Sequence, residues 1–465
     1  MMMHTADEHE DQPGYRYWLY NLALAIAIPF LIVWLVWRMV ILGKSREGLR
    51  ERLGRIREQL RRLCSTDDPV VWFHAASVGE VAAAEPIIAQ FRLKEPLARI
   101  ILSTITDTGQ QRARKISGSV DAVMYFPFDI PFIVRRMFDA LNPDLFVMVE
   151  TELWPNALAE CRRRGINVAM VNARLSGKSW KIGRRIAALY EWMLESVDVI
   201  CAQSDTDADR FRALGAKNDR IAVTGNSKFD QDFPALSEVR AAKWKQDFAF
   251  GADARILLAG STHHDEENQI LQVFQDLRTE YGDLQLIIAP RHPERGDAIE
   301  ELIRENGYDV CRRTRVQEGL QHPAEIARSA VVSVGLLDTI GELASLYSAA
   351  EVVFVGGSLA NIGGHDILQP LAQGKPVIFG PHMHKTQDVT DLALRDGVVF
   401  QVADSEELLL KIHDILQDDE LRESLKTRGP EFIEKYAGAS EKCAAELSGL
   451  LAGLERDIHA GQSTR

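Results

Sequence analysis

Cysteine is scarce in this chain, and none of the five cysteines belongs to a CxxC pair. We therefore expect reduced thiols in a reducing compartment. A basic excess is also missing: the formal net charge is −13, which argues against general nucleic-acid binding. The sequence has no short-period repeat and no low-complexity tract. Its 465 residues, 46% of them hydrophobic, exceed one ordinary core and predict two or three domains.

One segment near the N-terminus lacks charge altogether. Tyr17–Trp37 has no charged residue and is rich in Leu, Ile, Val, Ala and Trp. At about 21 residues it matches the length of one membrane helix, which Pro29 can kink. The acidic residues before it and the absence of a small-residue cleavage site argue against a signal peptide. We expect a retained membrane helix; an in-plane helix and a soluble core helix are the alternatives.

The residues that follow are strongly basic. Between 38 and 62 only Glu47, Glu51 and Glu58 oppose a run of arginine and lysine. The positive-inside rule predicts that the large C-terminal part is cytoplasmic, with these cations held against anionic lipid. A solvated helix face with internal ion pairs is the alternative, and both can hold at once.

Strand-like and helix-like segments alternate through the rest of the chain. Apolar runs predict strands at Val70–Ala76, Arg99–Thr104, Asp144–Glu150, Asn167–Val171, Val197–Ala202, Ile221–Thr224, Arg255–Ala259, Leu284–Ala289, Asp309–Arg312, Ala330–Val334, Val352–Val355 and Pro376–Phe379. Helical stretches such as Ala82–Phe91, Ile130–Leu141 and Trp180–Glu195 separate them. This rhythm indicates βαβ units, and thus an α/β fold with two Rossmann-like domains facing a cleft. The expected division is a membrane anchor at 1–45, domains at 46–229 and 251–430, a linker at 230–250 and a helical tail at 431–465.

Glu80 ends the first strand-turn-helix transition. The run Val70–Ala76 is followed by Ser77-Val-Gly-Glu80 and then by a helix-like segment. Such turns lie at the carboxyl edge of a parallel sheet, where α/β proteins bind ligands, and helix amides favour the charged form of a carboxylate. Glu80 is therefore a candidate general base, with a helix-capping acid as the alternative.

Two more carboxylates follow the third predicted strand. Glu150 and Glu152 share a face if the strand continues, and one acid buried beside the other would have a raised pKa. Alternatively, one of them caps the helix that starts near Trp154. Lys228 lies just where the first domain ends.

A basic stretch lies further along the first half. It contains no acid, and its cations are Arg162, Arg163, Arg164, Arg174, Lys178, Lys181, Arg184 and Arg185. In an acidic protein this favours an anionic partner, with a solvated face as the alternative.

Glycine pairs mark two loops of the second half. Gly356-Gly357 ends a strand, and Gly363-Gly364 precedes a helix, so their backbone N–H groups can approach a phosphate. Neither matches GxGxxG or a P-loop, and a structural turn is the alternative.

Other strand ends carry polar side chains. Arg291 suits a phosphate or a base edge, with a surface ion pair to Glu294 as the alternative. Asp338 or Thr339 is a candidate cap for the helix that follows.

Adjacent histidines such as His263-His264 rarely converge on one metal ion, so we favour a loop and helix start there and expect no metal site.

These stretches together resemble the bacterial 3-deoxy-D-manno-octulosonic acid (Kdo) transferases. The matching pieces are Glu51–Gly54, His74–Glu80, Thr104–Gly109, Glu150–Asn156, Asn172–Ser176, Gly225–Asp230, Gly260–His263, Pro290–Arg295, Asp338–Leu343, Phe354–Leu359, Gly363–His365 and Gly380–His382. They occur in family order over nearly the whole chain. The resemblance implies a GT-B fold, with the acceptor on the first domain and the sugar nucleotide on the second.

The resemblance also implies chemistry. CMP-Kdo would be the donor, a lipid A precursor (lipid IVA) the acceptor, and the cytoplasmic face of the inner membrane the location, in lipopolysaccharide biosynthesis. Glu80 would be the base of an inverting displacement, assisted by Glu150 and Lys228, without metal or other cofactor. The residues implied for CMP are Pro290, Arg291, Ile340, Gly341, Glu342, Asp366, Ile367, Leu368 and Gln369. Further substrate contacts are expected at Ser77, Gly79, Ser261, Thr262, Gly364 and His365.

The chain departs from the family pattern in one loop. The family usually has Asn and Glu where this sequence has Asp366 and Gln369. Gln still accepts a hydrogen bond from a ribose, but without charge. A related transferase with another donor or acceptor, and a catalytically weakened lipid- or nucleotide-binding protein, are therefore kept as alternatives.

Overall fold

The chain folds into two compact units. The computed structural model describes residues 15–40, 47–116, 118–326 and 333–462. The first unit contains the residues up to Gln231 and those from Tyr436 onward, and the second is Asp232–Lys435. The predicted linker contributes a helix to the second unit, whereas most of the predicted tail joins the first.

The first unit is built on a parallel sheet. Within the described residues its strands are β1 (Val70–His74), β2 (Arg99–Thr104), β3 (Ala122–Tyr125), β4 (Leu145–Val149), β5 (Asn167–Ala173), β6 (Val199–Ala202) and β7 (Ile221–Val223). They lie in the order β3-β2-β1-β4-β5-β6-β7, with Trp72 of β1 opposite Ile101 of β2 and Phe146 of β4. The order reverses between β1 and β4, and α/β proteins bind ligands outside the carboxyl ends of strands at such a point.

Helices cover both faces of this sheet. They are α1 (Tyr15–Val40), α2 (Leu49–Arg52), α3 (Glu58–Leu63), α4 (Val78–Lys94), α5 (Asp107–Ala113), α6 (Pro131–Leu141), α7 (Pro155–Arg164), α8 (Gly177–Arg185), α9 (Ala187–Leu194) and α10 (Asp205–Ala213). Since successive strand residues point to opposite faces, Trp72 packs on Phe138 of α6, while Val71 and Phe73 belong to the core that includes Ile87 of α4. Both faces are therefore apolar, as the continuous hydrophobic runs predicted.

The second unit repeats this architecture. Its described strands are β8 (Arg255–Thr262), β9 (Leu284–Pro290), β10 (Asp309–Arg312), β11 (Ser333–Leu336), β12 (Val352–Val355), β13 (Val377–Phe379) and β14 (Val399–Gln401). They are parallel and lie in the order β10-β11-β9-β8-β12-β13-β14. Its helices are α11 (Glu238–Asp247), α12 (Glu266–Arg278), α13 (Gly296–Glu305), α14 (Arg313–Gln317), α15 (Pro323–Ile326), α16 (Leu343–Leu346), α17 (Leu368–Ala372), α18 (Gln387–Arg395), α19 (Ser405–Gln417) and α20 (Asp419–Tyr436).

The last helix, α21 (Ala439–Gln462), returns to the first unit. Its buried Cys443, Ala444 and Leu447 belong to the same core as Phe73 of β1. The Asp230 carboxylate accepts hydrogen bonds from the backbone N–H groups of Gly438, at 2.5 Å, and Ser440, at 2.6 Å. This helix completes one face of the first sheet.

Helix α1 packs against the first unit by its polar and aromatic face. The Tyr20 hydroxyl donates to Asp129 Oδ2 at 3.0 Å, and the rings of Tyr17 and Trp192 lie 5.6 Å apart. The predicted membrane-spanning helix is not confirmed: in the part of the chain that the structure describes, no helix is both long and apolar enough to cross a membrane.

Several predicted boundaries differ from the structure. Strands β3 and β14 were not predicted, and the helix predicted at Trp180–Glu195 is two helices separated at Ile186, where the backbone turns to φ −119° and ψ 34°. The strand predicted at Ala330–Val334 is present from Ser333, and its first three positions lie outside the described residues.

Candidate functional site

Glu80 lies in the first turn of α4, directly after β1. Ser77 begins the helix as its N-cap. The Glu80 carboxylate accepts a hydrogen bond from the Ala76 N–H at 2.7 Å and one from the Ser77 hydroxyl at 2.8 Å. Glu80 thus satisfies an amide group just ahead of the helix, so the capping alternative describes part of its role. Gly79 is exposed beside it.

The pKa of Glu80 is raised from an ordinary 4.5 to about 7. Burial is the largest cause, followed by repulsion from the Glu152 carboxylate; Glu150 adds to it, while the hydrogen bonds from Ser77 and Ala76 act in the opposite direction. The expectation that helix amides would favour the charged form is therefore wrong in its net effect, because burial and two like charges outweigh them. A pKa near 7 suits a general base at neutral pH.

Glu150 and Lys228 form an ion pair in the same unit. Lys228 Nζ lies 3.4 Å from Glu150 Oε1. Glu150 follows β4 with a left-handed φ of 60°, which turns the chain at the strand end. The structure thus brings together the three residues predicted to be catalytic.

The turn that carries Lys228 is fixed by buried hydrogen bonds. The Asn172 amide oxygen at the end of β5 accepts from the Ser227 N–H at 3.0 Å, and the Ser227 hydroxyl donates to the Ala83 carbonyl of α4 at 2.8 Å. These bonds join the lysine turn to the helix that carries Glu80. Sequence reasoning gave Asn172 and Ser227 no individual role, although polar side chains beside apolar strands were a signal.

Glu152 is placed against two aromatic residues. Its Oε2 accepts from Trp154 Nε1 at 3.1 Å and lies 3.7 Å from His74 Nε2. Neither Glu150 nor Glu152 caps α7. Asp129 does so, accepting from the Asn156 N–H at 3.0 Å and the Ala157 N–H at 3.1 Å. Both carboxylates of the predicted acidic pair contribute to the raised pKa of Glu80.

The first arginines of the basic stretch lie at the C-terminal end of α7 and are paired with acids. Arg163 and Arg164 pair with Glu160, and Arg162 lies 3.8 Å from Glu195. These acids lie outside the stretch in sequence but beside it in space, so its first arginines belong to a solvated ion-pair network.

In the second unit, the residues predicted to bind CMP lie at the carboxyl edge of the sheet. Pro290 ends β9 and Arg291 follows it exposed, the 340–342 segment follows β11, and Asp366 to Gln369 follow β12. The Ser261-Thr262 segment ends β8, with Ser261 at a left-handed φ of 57°. This common edge agrees with their predicted grouping.

The first glycine pair does not offer its amides to a ligand. The buried Glu266 carboxylate accepts from the backbone N–H groups of Gly357, Ser358, Leu359 and Ala360 at 2.7–3.2 Å. Here the structural-turn alternative holds, because an internal anion occupies the nest of amides.

The second glycine pair is also used internally. The Gly364 N–H donates to the Gly357 carbonyl at 2.7 Å, and a side chain at Gly364, whose φ is 74°, would collide with Met383. The Gly363 N–H donates to the same carbonyl at 3.1 Å, so the structural-turn alternative holds for this pair as well.

Cationic side chains surround His365. Its Nε2 lies 2.8 Å from Nε2 of His263, and the two rings are almost coplanar. Burial lowers the pKa of His365 to about 3, with further lowering by His263, Arg291, Lys385 and His292. The lowered pKa values of His365 and His263 favour neutral rings, so the positive charge at this edge of the second sheet comes from Arg291 and Lys385.

The 338–342 loop is tied to two arginines. Glu342 forms two hydrogen bonds with Arg313, at 2.8 and 3.2 Å, and its pKa is lowered despite opposing burial, by that arginine and by Thr339. Asp338 pairs with Arg312, so neither Asp338 nor Thr339 caps α16, which lacks a side-chain cap. Ile340 is 81% exposed.

The ion pair of Arg291 with Glu294, which was the alternative interpretation, is not among the described contacts; Glu294 Oε1 lies 3.2 Å from His292 Nδ1. Asp366 Oδ1 accepts a hydrogen bond from the Leu368 N–H at 2.9 Å at the start of α17.

Over the described ranges, no group of three or more His, Cys, Asp or Glu side chains is arranged to hold a metal ion.

Comparisons with known proteins place this architecture in a family. A family profile described as 3-Deoxy-D-manno-octulosonic-acid transferase (kdotransferase) matches residues 47–231. The chain is 31% identical to a 3-deoxy-D-manno-octulosonic acid transferase of Haemophilus influenzae, over 94% of this chain and 99% of that protein. It is 30% identical to one of Chlamydophila psittaci, over 82% and 84%.

The fold of this chain is also similar to that of a solved structure with little sequence identity. The UDP-GlcNAc 2-epimerase of Neisseria meningitidis, bound to UDP-GlcNAc, has a TM-score of 0.55 at 13% identity and covers 83% of this chain and 100% of its own. At that identity the likeness concerns the fold alone. The predicted α/β fold with two parallel sheets, of the GT-B type, is confirmed.

Proposed function

The chain belongs to the 3-deoxy-D-manno-octulosonic-acid (Kdo) transferase family, and on that premise we propose that it moves Kdo from CMP-Kdo to a hydroxyl of a lipid A precursor, lipid IVA, with inversion, in lipopolysaccharide biosynthesis. Family membership makes it a glycosyltransferase. The observation that carries the proposal is a glutamate with a pKa near 7 beside the Glu150–Lys228 ion pair.

Glu80 acts as the base in this mechanism. Its carboxylate takes the proton of the acceptor hydroxyl as that oxygen attacks the anomeric carbon of Kdo, and the bond from that carbon to the CMP phosphate breaks. Roughly half of the Glu80 population is ionised at neutral pH if the pKa is about 7. The Ser77 and Ala76 hydrogen bonds hold the carboxylate in place.

Lys228 supplies positive charge to the transition state. Glu150 holds its ammonium group at 3.4 Å, and the buried bonds of Ser227 fix the turn that carries it. Fixed cations of this kind stabilise developing negative charge without a metal ion, and we propose a metal-independent reaction. Addition of a chelator is expected to leave the rate unchanged.

The second unit binds the donor in this scheme. CMP-Kdo is anionic through its phosphate and its carboxylate, so it fits the edge that carries Arg291 and Lys385 beside His365. The exposed Ile340 offers an apolar contact to the cytosine ring, and Gln369 an uncharged acceptor to the ribose. Gly364 acts by keeping the loop close to Met383.

The acceptor explains the apolar surface of α1. Trp18, Leu22, Ile26 and Phe30 are exposed at helical spacing on α1. Such a row suits contact with acyl chains at the cytoplasmic side of the inner membrane, where anionic lipid and the lipid A precursor are present. Sedimentation with vesicles that contain anionic lipid tests this location.

The test of function compares Glu80→Gln with the wild type in an incubation with CMP-Kdo and tetra-acylated lipid A precursor. We expect mass spectrometry to detect Kdo-bearing product with the wild type and none with the variant, while calorimetry shows nearly unchanged CMP binding. Glu58→Gln on α3, whose side chain is 66% exposed, is the control and should retain turnover. Turnover only with other sugar nucleotides, or binding without turnover, would contradict the proposal.

A further inference from the structure

A buried histidine stands behind the acids of the first unit. His74 ends β1, is fully buried, and stacks on Phe126 with ring centroids 3.9 Å apart. Its Nε2 has no hydrogen-bond partner within the described ranges and faces Glu152 Oε2 at 3.7 Å. A buried polar nitrogen without a partner is costly, so its orientation toward a carboxylate calls for a physical account.

The other ring nitrogen identifies the tautomer. Nδ1 of His74 lies 3.0 Å from the Ser103 hydroxyl and 3.3 Å from the Ser103 carbonyl oxygen. The hydroxyl accepts from Trp72 Nε1 at 2.8 Å and can donate its single hydrogen to the Phe73 carbonyl at 3.2 Å. A carbonyl oxygen only accepts, so the arrangement favours a hydrogen on Nδ1.

This tautomer leaves a lone pair on Nε2 facing a carboxylate. Two acceptors repel each other unless a proton lies on one of them. Glu152 is held in that position by Trp154 Nε1 at 3.1 Å, so it is not free to turn away while this bond remains. We propose that His74 and Glu152 share a proton, and that this pair positions Glu152 beside the base and sets the pH range in which Glu80 works.

The inference rests on the proposed function, since it concerns the base of the same reaction. Glu152 is the neighbouring charge with the largest effect on the pKa of Glu80, and Glu150 is the other acid that raises it. The charge of Glu150 is partly neutralised by the ammonium group of Lys228. The nearby cation Arg112, on the adjacent helix α5, is paired with Glu85 of α4. The shared proton does for Glu152 what Lys228 does for Glu150.

The two members of the pair therefore have opposite effects on the base. Glu152→Gln removes a carboxylate that the shared proton has only partly neutralised, and it should shift the acidic limb of the kcat/KM profile down by a fraction of a pH unit. His74→Gln leaves the full Glu152 charge without its proton partner and should shift the same limb upward by about one pH unit. A merely structural role would lower activity without moving the limb in opposite directions.

The first experiment needs no turnover. Nitrogen-15 NMR of the full-length protein labelled at histidine, with His74 assigned by difference against His74→Gln, should show a protonated Nδ1. The Nε2 resonance should change in Glu152→Gln, which is expected to fold because its side chain is partly exposed. An unprotonated Nδ1, or an Nε2 signal unaffected by Glu152→Gln, would overturn the shared proton even if the enzyme is an active Kdo transferase.

The second experiment records pH–rate profiles with CMP-Kdo and the lipid acceptor. His413→Gln, on α19 of the second unit beside Glu280, is the matched control and should leave the acidic limb in place. Shifts in the same direction for the two variants would refute the positioning role. If no protein shows turnover, the proposed function fails, while the NMR result still decides the shared proton.

Discussion

Removal of the Glu80 charge should stabilise the fold at alkaline pH while it abolishes turnover. Ionisation of this carboxyl is unfavourable in the folded protein, because its pKa is raised from 4.5 to about 7 by burial and by the Glu152 and Glu150 charges. At ~1.36 kcal/mol per pKa unit, this corresponds to about 3 kcal/mol between the protonated and ionised limits. Glu80→Gln removes that ionisation.

The direction of this change in stability with pH follows from proton linkage. The folded protein binds the Glu80 proton more tightly than the unfolded chain, so the stabilisation from this proton is fully present below pH 4.5 and is lost as pH rises through 7. Roughly 2.5 kcal/mol of that loss falls between pH 5 and pH 8. Other titrating groups, such as the buried Asp129 with its pKa raised to about 6, are common to both proteins and cancel in the comparison.

The assay is urea unfolding at pH 5 and pH 8, followed by tryptophan fluorescence, which Trp72 and Trp192 report from the first unit. The amide loses one accepted hydrogen bond, worth about 1 kcal/mol, at both pH values. The variant should therefore gain about 2–3 kcal/mol relative to the wild type on going from pH 5 to pH 8. An equal difference at the two pH values, as expected for the control Glu58→Gln, would refute the argument that Glu80 has a raised pKa.

Three further changes test the second unit and the start of α7. Glu266→Ala should destabilise the second unit by at least about 3 kcal/mol in thermal or urea unfolding, since four loop amides lose their acceptor, whereas the exposed Glu294→Gln should have little effect. Gln369→Glu should tighten CMP binding a few-fold by calorimetry, because a charged ribose acceptor replaces a neutral one, and an unchanged affinity would remove residue 369 from the nucleotide site. Asp129→Ala should cost about 2–4 kcal/mol, as it leaves the α7 amides and the Tyr20 hydroxyl without their acceptor, and a loss under 1 kcal/mol would show that water replaces it.

The two strands that the sequence missed, β3 and β14, are edge strands, whereas the other two edge strands, β7 and β10, were predicted. Strands such as β4 and β9 are apolar on both faces, so they appear as continuous hydrophobic runs. Strands β3 and β14 lie at the edges of their sheets and are partly exposed, so their few residues carry no comparable pattern. The break between α8 and α9 falls at Ile186, which is neither a glycine nor a proline, the residues by which sequence rules detect a helix end.

In the candidate site, too, some features were predicted from the sequence and others were not. The Glu80 turn is local, so a strand, a glycine and a helix start in succession were enough to find it. The nest around Glu266 joins residues about 90 positions apart, and no local pattern indicates that an acid on α12 satisfies the Gly357–Ala360 amides. His74 is part of an apolar run in the sequence, and its neighbours Ser103, on β2, and Glu152, in the segment after β4, lie far from it along the chain. Long-range polar contacts of this kind require the fold.

The return of α21 to the first sheet has a consequence for synthesis on the ribosome. Cys443, Ala444 and Leu447 cover apolar side chains of strands made more than 200 residues earlier, such as Val199. A nascent chain that has released only its first 231 residues therefore exposes an uncovered apolar face while the second unit is translated. Truncation before α21 should produce an aggregation-prone product that binds chaperones. The first unit can complete its folding only after the last residues of its core have been synthesised.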